Sequence, residues 1–170
     1  AGGTIKATSG ALLARSSGTA AEKGRIDINT TTDGAGAVTG AGTNKTVLTG
    51  NLSTGSGANA NGVINIGLNT SDSSWQGDYA ESNAGAVNLR MGSNARWEGR
   101  TADGSNLNMN LLDSGSLWKL TGTSHVKNLA AANAANRSVF DMTRTASSDK
   151  LTIENFSGKG YFLYGNTVTT

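Results

Sequence analysis

The chain is 170 residues long, enough for one domain with a core, and contains 24 Gly, no Pro and no Cys, with 15% charged residues. The missing cysteines exclude a disulfide framework and a thiolate metal site. A formal net charge of +2, with Lys and Arg dispersed from Lys6 to Lys159, leaves neither the basic stripe nor the aromatic platform that nucleic acid requires as a partner.

Low charge with many Asn, Ser and Thr also describes disordered chains. Here, however, the apolar residues are grouped into short alternating runs of Val, Ile, Leu and Thr between Gly, Asn, Asp and Ser clusters, which is the pattern of many short strands and turns. The expected class is therefore all-β. Two stretches with weak helical character, Gly10 to Arg15 and Leu129 to Ala135, are shorter than the ~12 residues an isolated helix needs and are expected to be turns or loop excursions. No apolar run approaches the ~20 residues of a membrane-spanning helix. Ala1 opens no charged-then-apolar signal pattern. The chain starts and stops inside repeat-like sequence, so we expect a piece of a longer polypeptide. A cysteine-free chain suits export in an unfolded form through an oxidising space.

In chain order, the first expected strands are Thr4 to Ala7, Arg25 to Asn29 and Thr46 to Thr49, joined by Gly-rich connections. Ile26 and Ile28 alternate with Asp27 and Asn29, a period of two with one face inward. Steps of about 21–23 residues from Ile5 through Ile26 or Ile28 to Leu48 suggest one coil per step. From Val63 the repeat is plainest. Trp75 and Trp97 lie 22 residues apart, and Trp97 and Trp118 lie 21 apart, each preceded by an alternating run: Val63 to Ile66, Val87 to Leu89, and Leu107 to Leu111. A fixed period near 20–25 residues is that of a β-solenoid, in which each coil returns to the same face before the next strand stacks on it. Equal positions then lie above one another at about 4.8 Å. We expect Trp75, Trp97 and Trp118 to form an aromatic ladder and Asn65, Asn88 and Asn108 to stack through their amides.

The insert Gln76 to Gly85 lies between two coils, and Asp78, Tyr79 and Glu81 make it the candidate binding loop, against the simpler expectation of a polar surface loop. After Val126 the pattern changes: Val139 to Met142, Leu151 to Phe156 and Tyr161 to Tyr164 are expected strands. The four-residue link Ser157 to Gly160 is a hairpin signal, with a tight solenoid corner as the other reading. The expected organisation is thus residues 1–125 as coils of about 21–23 residues and residues 126–170 as a capping segment continuous with them, its aromatics closing the end of the solenoid.

From Ser116 to Leu163 the sequence resembles a known family. Trp118, Leu120, Gly122, Ser124, Val126 and Leu129, then Val139-Phe140, then Leu151-Thr152-Ile153, Phe156, Gly158, Gly160 and Phe162-Leu163 are similar to the C-terminal passenger region of pertactin-like, AIDA-type autotransporters. The resemblance covers about 50 residues, and the upstream repeats agree in style. It implies a right-handed parallel β-helix of triangular cross-section, displayed on the bacterial cell surface or secreted after crossing the outer membrane through a C-terminal translocator barrel of the same polypeptide. It implies further that this region is an autochaperone that folds first and templates the upstream passenger coils. The family usually continues into another strand with an Asp-rich turn, whereas this sequence runs from Tyr164 into Gly165 to Thr170.

For chemistry, the one histidine, His125, neighbours Val126 and is expected to point outward, with no second His or Cys for a metal set. There is no Gly-x-Ser-x-Gly elbow, P-loop, dinucleotide fingerprint or calcium-binding glycine repeat. A glycan-cleaving β-helix would place two carboxylates on adjacent coils. Among Asp72, Asp78, Glu81, Glu98 and Asp103, only Glu81 and Asp103 share a phase, each six residues after a tryptophan, and they read more simply as solvated loop acids. No enzyme activity and no cofactor are expected. The two functions carried forward are a structural folding nucleus, with Trp75, Trp97, Trp118, Leu120, Val126, Leu129, Phe140, Leu151, Ile153, Phe156, Phe162 and Leu163 as its residues, and an adhesion module binding a host-cell receptor or glycan or self-associating with neighbouring passengers.

Overall fold

The computed structural model describes residues 3–13, 24–33, 37–55, 61–79, 81, 84–112, 115–132 and 137–165. Every regular element among them is a strand. In chain order these are β1 (Gly3–Leu13), β2 (Arg25–Ile28), β3 (Thr30–Thr32), β4 (Val38–Ala41) and β5 (Thr46–Ser53). There follow β6 (Val63–Leu68), β7 (Ser74–Gln76), β8 (Ala86–Met91), β9 (Arg96–Gly99) and β10 (Leu107–Leu111). The last are β11 (Leu117–Leu120), β12 (Ser124–Ala131), β13 (Ser138–Met142), β14 (Leu151–Ser157) and β15 (Gly160–Tyr164).

Thirteen of these strands form two parallel sheets, β1-β5-β7-β9-β11-β13-β15 and β2-β6-β8-β10-β12-β14. From β5 onward the chain alternates between the two, and each strand pairs with the next strand of its own sheet. This all-β, parallel arrangement is compatible with a β-solenoid. A short third line of contacts runs beside the sheets: Leu52 N donates to Asp78 O at 2.9 Å, Tyr79 bridges Thr101 in parallel, and Thr101 N donates to Ser124 Oγ at 3.3 Å.

Alternation decides what is buried. In β8, Val87, Leu89 and Met91 face inward while Ala86, Asn88 and Arg90 face outward, and β10 repeats this with Leu107, Met109 and Leu111. Register places Ile64, Val87 and Leu107 in one column and Ile66, Leu89 and Met109 in the next. Each such aliphatic side chain contributes about 1.5–3 kcal/mol by leaving water.

Several expectations change. Ile26 and Ile28 do not share a column with Ile5 and Leu48: they pair with Ile64 and Ile66 in the second sheet, whereas Ile5 pairs directly with Leu48. The Ile5 to Leu48 step is thus one coil, lengthened by the antiparallel pair β3–β4. Residues Gly10 to Leu13 and Leu129 to Ala131 are strand, because pairing with β5 and β10 overrides a weak local preference; Ala14, Arg15 and residues 133–135 lie outside the described residues.

The C-terminal hairpin is also replaced. β14 pairs with β12 and β15 with β13, in different sheets, so Ser157 to Gly160 is a corner. Gly158 takes φ +90° there, and a Cβ on it would come within 1.6 Å of the Ala131 carbonyl oxygen. Only glycine fits that close approach. Nor do the last aromatics close the end: Phe156, Tyr161 and Tyr164 are 45%, 51% and 66% exposed, and β14 and β15 are the terminal strands of their sheets.

Candidate functional site

The feature that ties most coils together is a column of rings in the first sheet. Register aligns Leu48, Trp75, Trp97, Trp118, Phe140 and Phe162. Trp75 and Trp97 stack with centroids 4.5 Å apart and planes 2° from parallel, and Trp97 and Trp118 follow at 4.3 Å and 8°. The column then turns. Trp118 meets Phe140 edge-on at 6.3 Å and 74°, and Phe140 stacks on Phe162 at 4.7 Å. Each such pair adds about 0.5–1.5 kcal/mol beyond its buried area.

A buried indole N–H needs an acceptor, and the sequence supplies it one coil earlier. Trp75 Nε1 donates to Gly50 O at 3.1 Å, Trp97 Nε1 to Gly77 O at 3.0 Å, and Trp118 Nε1 to Gly99 O at 3.0 Å. Each accepting glycine stands two residues after the ladder position of its own coil: Leu48-Thr49-Gly50, Trp75-Gln76-Gly77, Trp97-Glu98-Gly99. A Cβ at Gly99 would lie 1.9 Å from Gly77 O and 2.7 Å from Trp97 Nε1. After Trp118 the equivalent residue is Leu120, and the next ladder ring, Phe140, has no N–H. This coupling is visible in the sequence only once the register is known.

On the outer face of the second sheet the expected asparagine stack is present and longer than anticipated. Nδ2 of Asn155 donates to Oδ1 of Asn128 at 3.1 Å, and the pattern continues from Asn128 to Asn108 at 2.7 Å, Asn108 to Asn88 at 2.9 Å and Asn88 to Asn65 at 2.8 Å. It ends on Asp27, whose Oδ1 accepts from Asn65 at 2.6 Å. Partial burial pushes the Asp27 carboxyl up, but hydrogen bonds from Arg25 and Asn65, with the Arg25 charge, hold it below its ordinary value. All five amides thus donate in one direction, toward a carboxylate that only accepts.

Of the residues expected to form the nucleus, Trp75, Trp97, Trp118, Leu120, Val126, Leu129 and Phe140 are buried together, and Leu151, Ile153 and Phe162 flank them half-buried. Phe156 reaches the column by its edge, 6.0 Å from Phe162. Leu163 stands outside it.

The candidate loop is built inward. Tyr79 is fully buried; its hydroxyl donates to Gly85 O at 3.2 Å and lies 3.1 Å from Thr54 Oγ1. Burial raises its pKa, and the Glu81 charge adds to the rise. Asp78 Oδ1 accepts from Arg100 N at 3.0 Å and its other oxygen lies 3.5 Å from Arg100 Nε. Glu81 accepts from Thr54 N at 2.6 Å, from the Thr54 hydroxyl at 3.0 Å and from the Ser53 hydroxyl. These three residues fasten one coil to its neighbours, whereas Asp103, the other acid of the same phase, is exposed.

His125 corrects another expectation. It is 6% exposed, because the segment from Thr101 to Ser105 folds over the outward side of β12. Its Nδ1 lies 2.9 Å from Ser105 O and its Nε2 3.0 Å from Glu154 Oε1. Comparison of the chain with known protein families, with curated proteins and with solved structures returns no match.

Proposed function

We propose that this chain is a structural and folding-nucleus segment of a secreted bacterial surface passenger, a right-handed β-helix whose C-terminal coils template those upstream during passage across the outer membrane. The observation that carries this is the unbroken ring column from Trp75 to Phe162, which links five successive strands of one sheet in fixed register. A coil forming alone must close a loop of some 20 residues before its contacts reward it. A preformed C-terminal neighbour changes that balance: it offers an open strand edge, a ring face and an indole N–H aimed at the glycine carbonyl of the coil upstream.

The third line of contacts through Leu52, Tyr79 and Thr101 supports a three-sided coil, and the motif resemblance from Ser116 to Leu163 supports the autotransporter setting. The partners are then the upstream coils and the translocator barrel of the same polypeptide. The role is non-enzymatic and needs no cofactor. Among the described residues of the segment Gln76 to Gly85, Tyr79 is buried and Asp78 and Glu81 are engaged within the fold, which favours the structural reading of that segment.

The test is display of the chain fused ahead of an outer-membrane translocator barrel. Trp118→Ala is expected to lower thermal stability and surface display together. Lost stability with undiminished display rules out the autochaperone role.

A further inference from the structure

The outer face of the second sheet carries a groove of about 600 Å³, and nothing in the folding role requires it. Its floor has two rows set by the register. One is the asparagine ladder; the other runs from Arg90 to Asn110 to Ala130. Its wall is the β3–β4 hairpin. Asn29 pins that hairpin, Nδ2 donating to Gly42 O at 3.1 Å, Asn44 O at 2.8 Å and Gly67 O at 3.0 Å. Gly67 permits the approach, since a Cβ there would lie 2.1 Å from Asn29 O.

The chemistry of the lining is selective. A primary amide has two N–H groups and an oxygen with two lone pairs, and the ladder uses one of each. The remainder faces the groove once per strand, every ~4.8 Å. Arg90 stands beside this row, half-buried, its Nη2 donating to Val38 O at 3.2 Å. Among the described residues no carboxylate lies within ion-pair distance of it, whereas Arg25 at the groove's end is paired with Asp27 at 2.8 Å. Among the described residues the lining contains no carboxylate and no aromatic ring. Without a ring there is no platform for a base or for an apolar sugar face. What the surface offers is a repeating amide array for hydroxyls and a single guanidinium whose fork suits a carboxylate.

We propose that this groove binds an extended acidic saccharide of the polyuronate class, laid across the strands with hydroxyls on Asn88, Asn108, Asn110 and Asn128 and a carboxylate on Arg90. The monosaccharide repeat of an extended chain is close to the strand spacing, so successive units meet equivalent amides. The binding site is independent of the folding role: a passenger segment that templates its neighbours does so whether or not the groove is filled.

Titration calorimetry with hexagalacturonate and with its fully methyl-esterified form tests this, because the ester keeps the shape and removes the charge. The acid is expected to bind at least about tenfold more tightly than the ester, the size of one charge-assisted contact. Arg90→Gln removes the charge and leaves the asparagine rows in place; it should abolish that preference while the ester still binds. Asn110→Ala, outside the ladder, should weaken both ligands by about threefold. Absence of hexagalacturonate binding, equal affinity for acid and ester, or an Arg90→Gln protein that retains the preference would overturn the proposal. A dimer in sedimentation that Arg90→Gln dissociates and hexagalacturonate fails to compete would also overturn it, by making a second copy the occupant.

Discussion

Trp97 and Trp118 lie face to face at 4.3 Å, whereas one coil on Trp118 and Phe140 meet edge to face at 6.3 Å. The strands beneath both pairs run in the same parallel register. The difference is the indole N–H. In the tryptophan half each ring is held in plane by a bond to the glycine carbonyl of the preceding coil. In the phenylalanine half that glycine is replaced by Leu120, no ring bond forms, and the ring turns until its positive edge meets a π face. Phe140 and Phe162 stack again at 4.7 Å without such a bond, so the bond is not needed for stacking as such; it sets the plane of each tryptophan ring against the preceding coil.

Gly99→Ala attacks this comparison hardest. The added methyl meets backbone at Gly77 O and the Trp97 indole nitrogen, neither of which yields cheaply. A loss of about 2–3 kcal/mol is expected by urea unfolding. Gly122→Ala is the control: its nearest neighbour is the flexible end of Arg100 at 3.2 Å, and a loss under about 0.5 kcal/mol is expected. Equal losses at the two glycines would remove the special role of the accepting carbonyl.

Trp97→Phe has a smaller expected effect. It keeps a stacked ring and deletes one donor, leaving the Gly77 carbonyl without its side-chain partner; the expected loss is about 1–2 kcal/mol. A neutral substitution would mean that stacking alone holds the column.

Acid should separate the two halves more gently. Hydrogen bonds from the Thr143 and Thr123 hydroxyls hold the Asp141 and Asp149 carboxyls below their ordinary values, and Asp27 is held low at the far end. Depressed carboxyls stabilise the fold above the ordinary value near 3.9, and that contribution is lost as the pH falls through the folded values. Stability is expected to be level from about pH 7 to pH 5 and to fall below about pH 4. Hydrogen exchange at the onset of that fall should open β13 and β14 before β9, whose indole bond does not titrate; β7 follows Asp72, which the Thr70 hydroxyl also holds low, and is expected to open between them. The buried Tyr79 hydroxyl has a raised pKa, so its contribution is complete below about pH 10 and is lost as pH rises further.

Much of this was legible in the sequence, and the limits have physical causes. Spacing alone revealed the tryptophan column and the asparagine stack, because parallel coils put equal phases in register. It did not reveal the step from Ile5 to Leu48, where the β3–β4 insertion doubles the apparent period and made Ile26 look like a member of the same column. Alternation misplaced His125: it predicts which side of a strand a residue takes, and it cannot see the Thr101 to Ser105 segment folded over that side. Tyr79 looks like a ligand-binding aromatic in the sequence because its hydrogen-bond partners, Gly85 and Thr54, are a loop and a coil away. Phe156 and Leu163 carried the composition of a cap but lie on terminal strands, where no further strand of the described residues covers them.

The claim most in need of measurement is that folding starts from the C-terminal coils. Refolding and unfolding rates of Trp118→Phe and Trp75→Phe, each compared with the parent chain in stopped-flow urea jumps, answer it directly. A nucleus around Trp118 predicts that Trp118→Phe mainly slows folding, with φ of about 0.5–0.8, and that Trp75→Phe mainly speeds unfolding, with φ below about 0.3. The reverse order, or a low φ at both positions, would contradict the account.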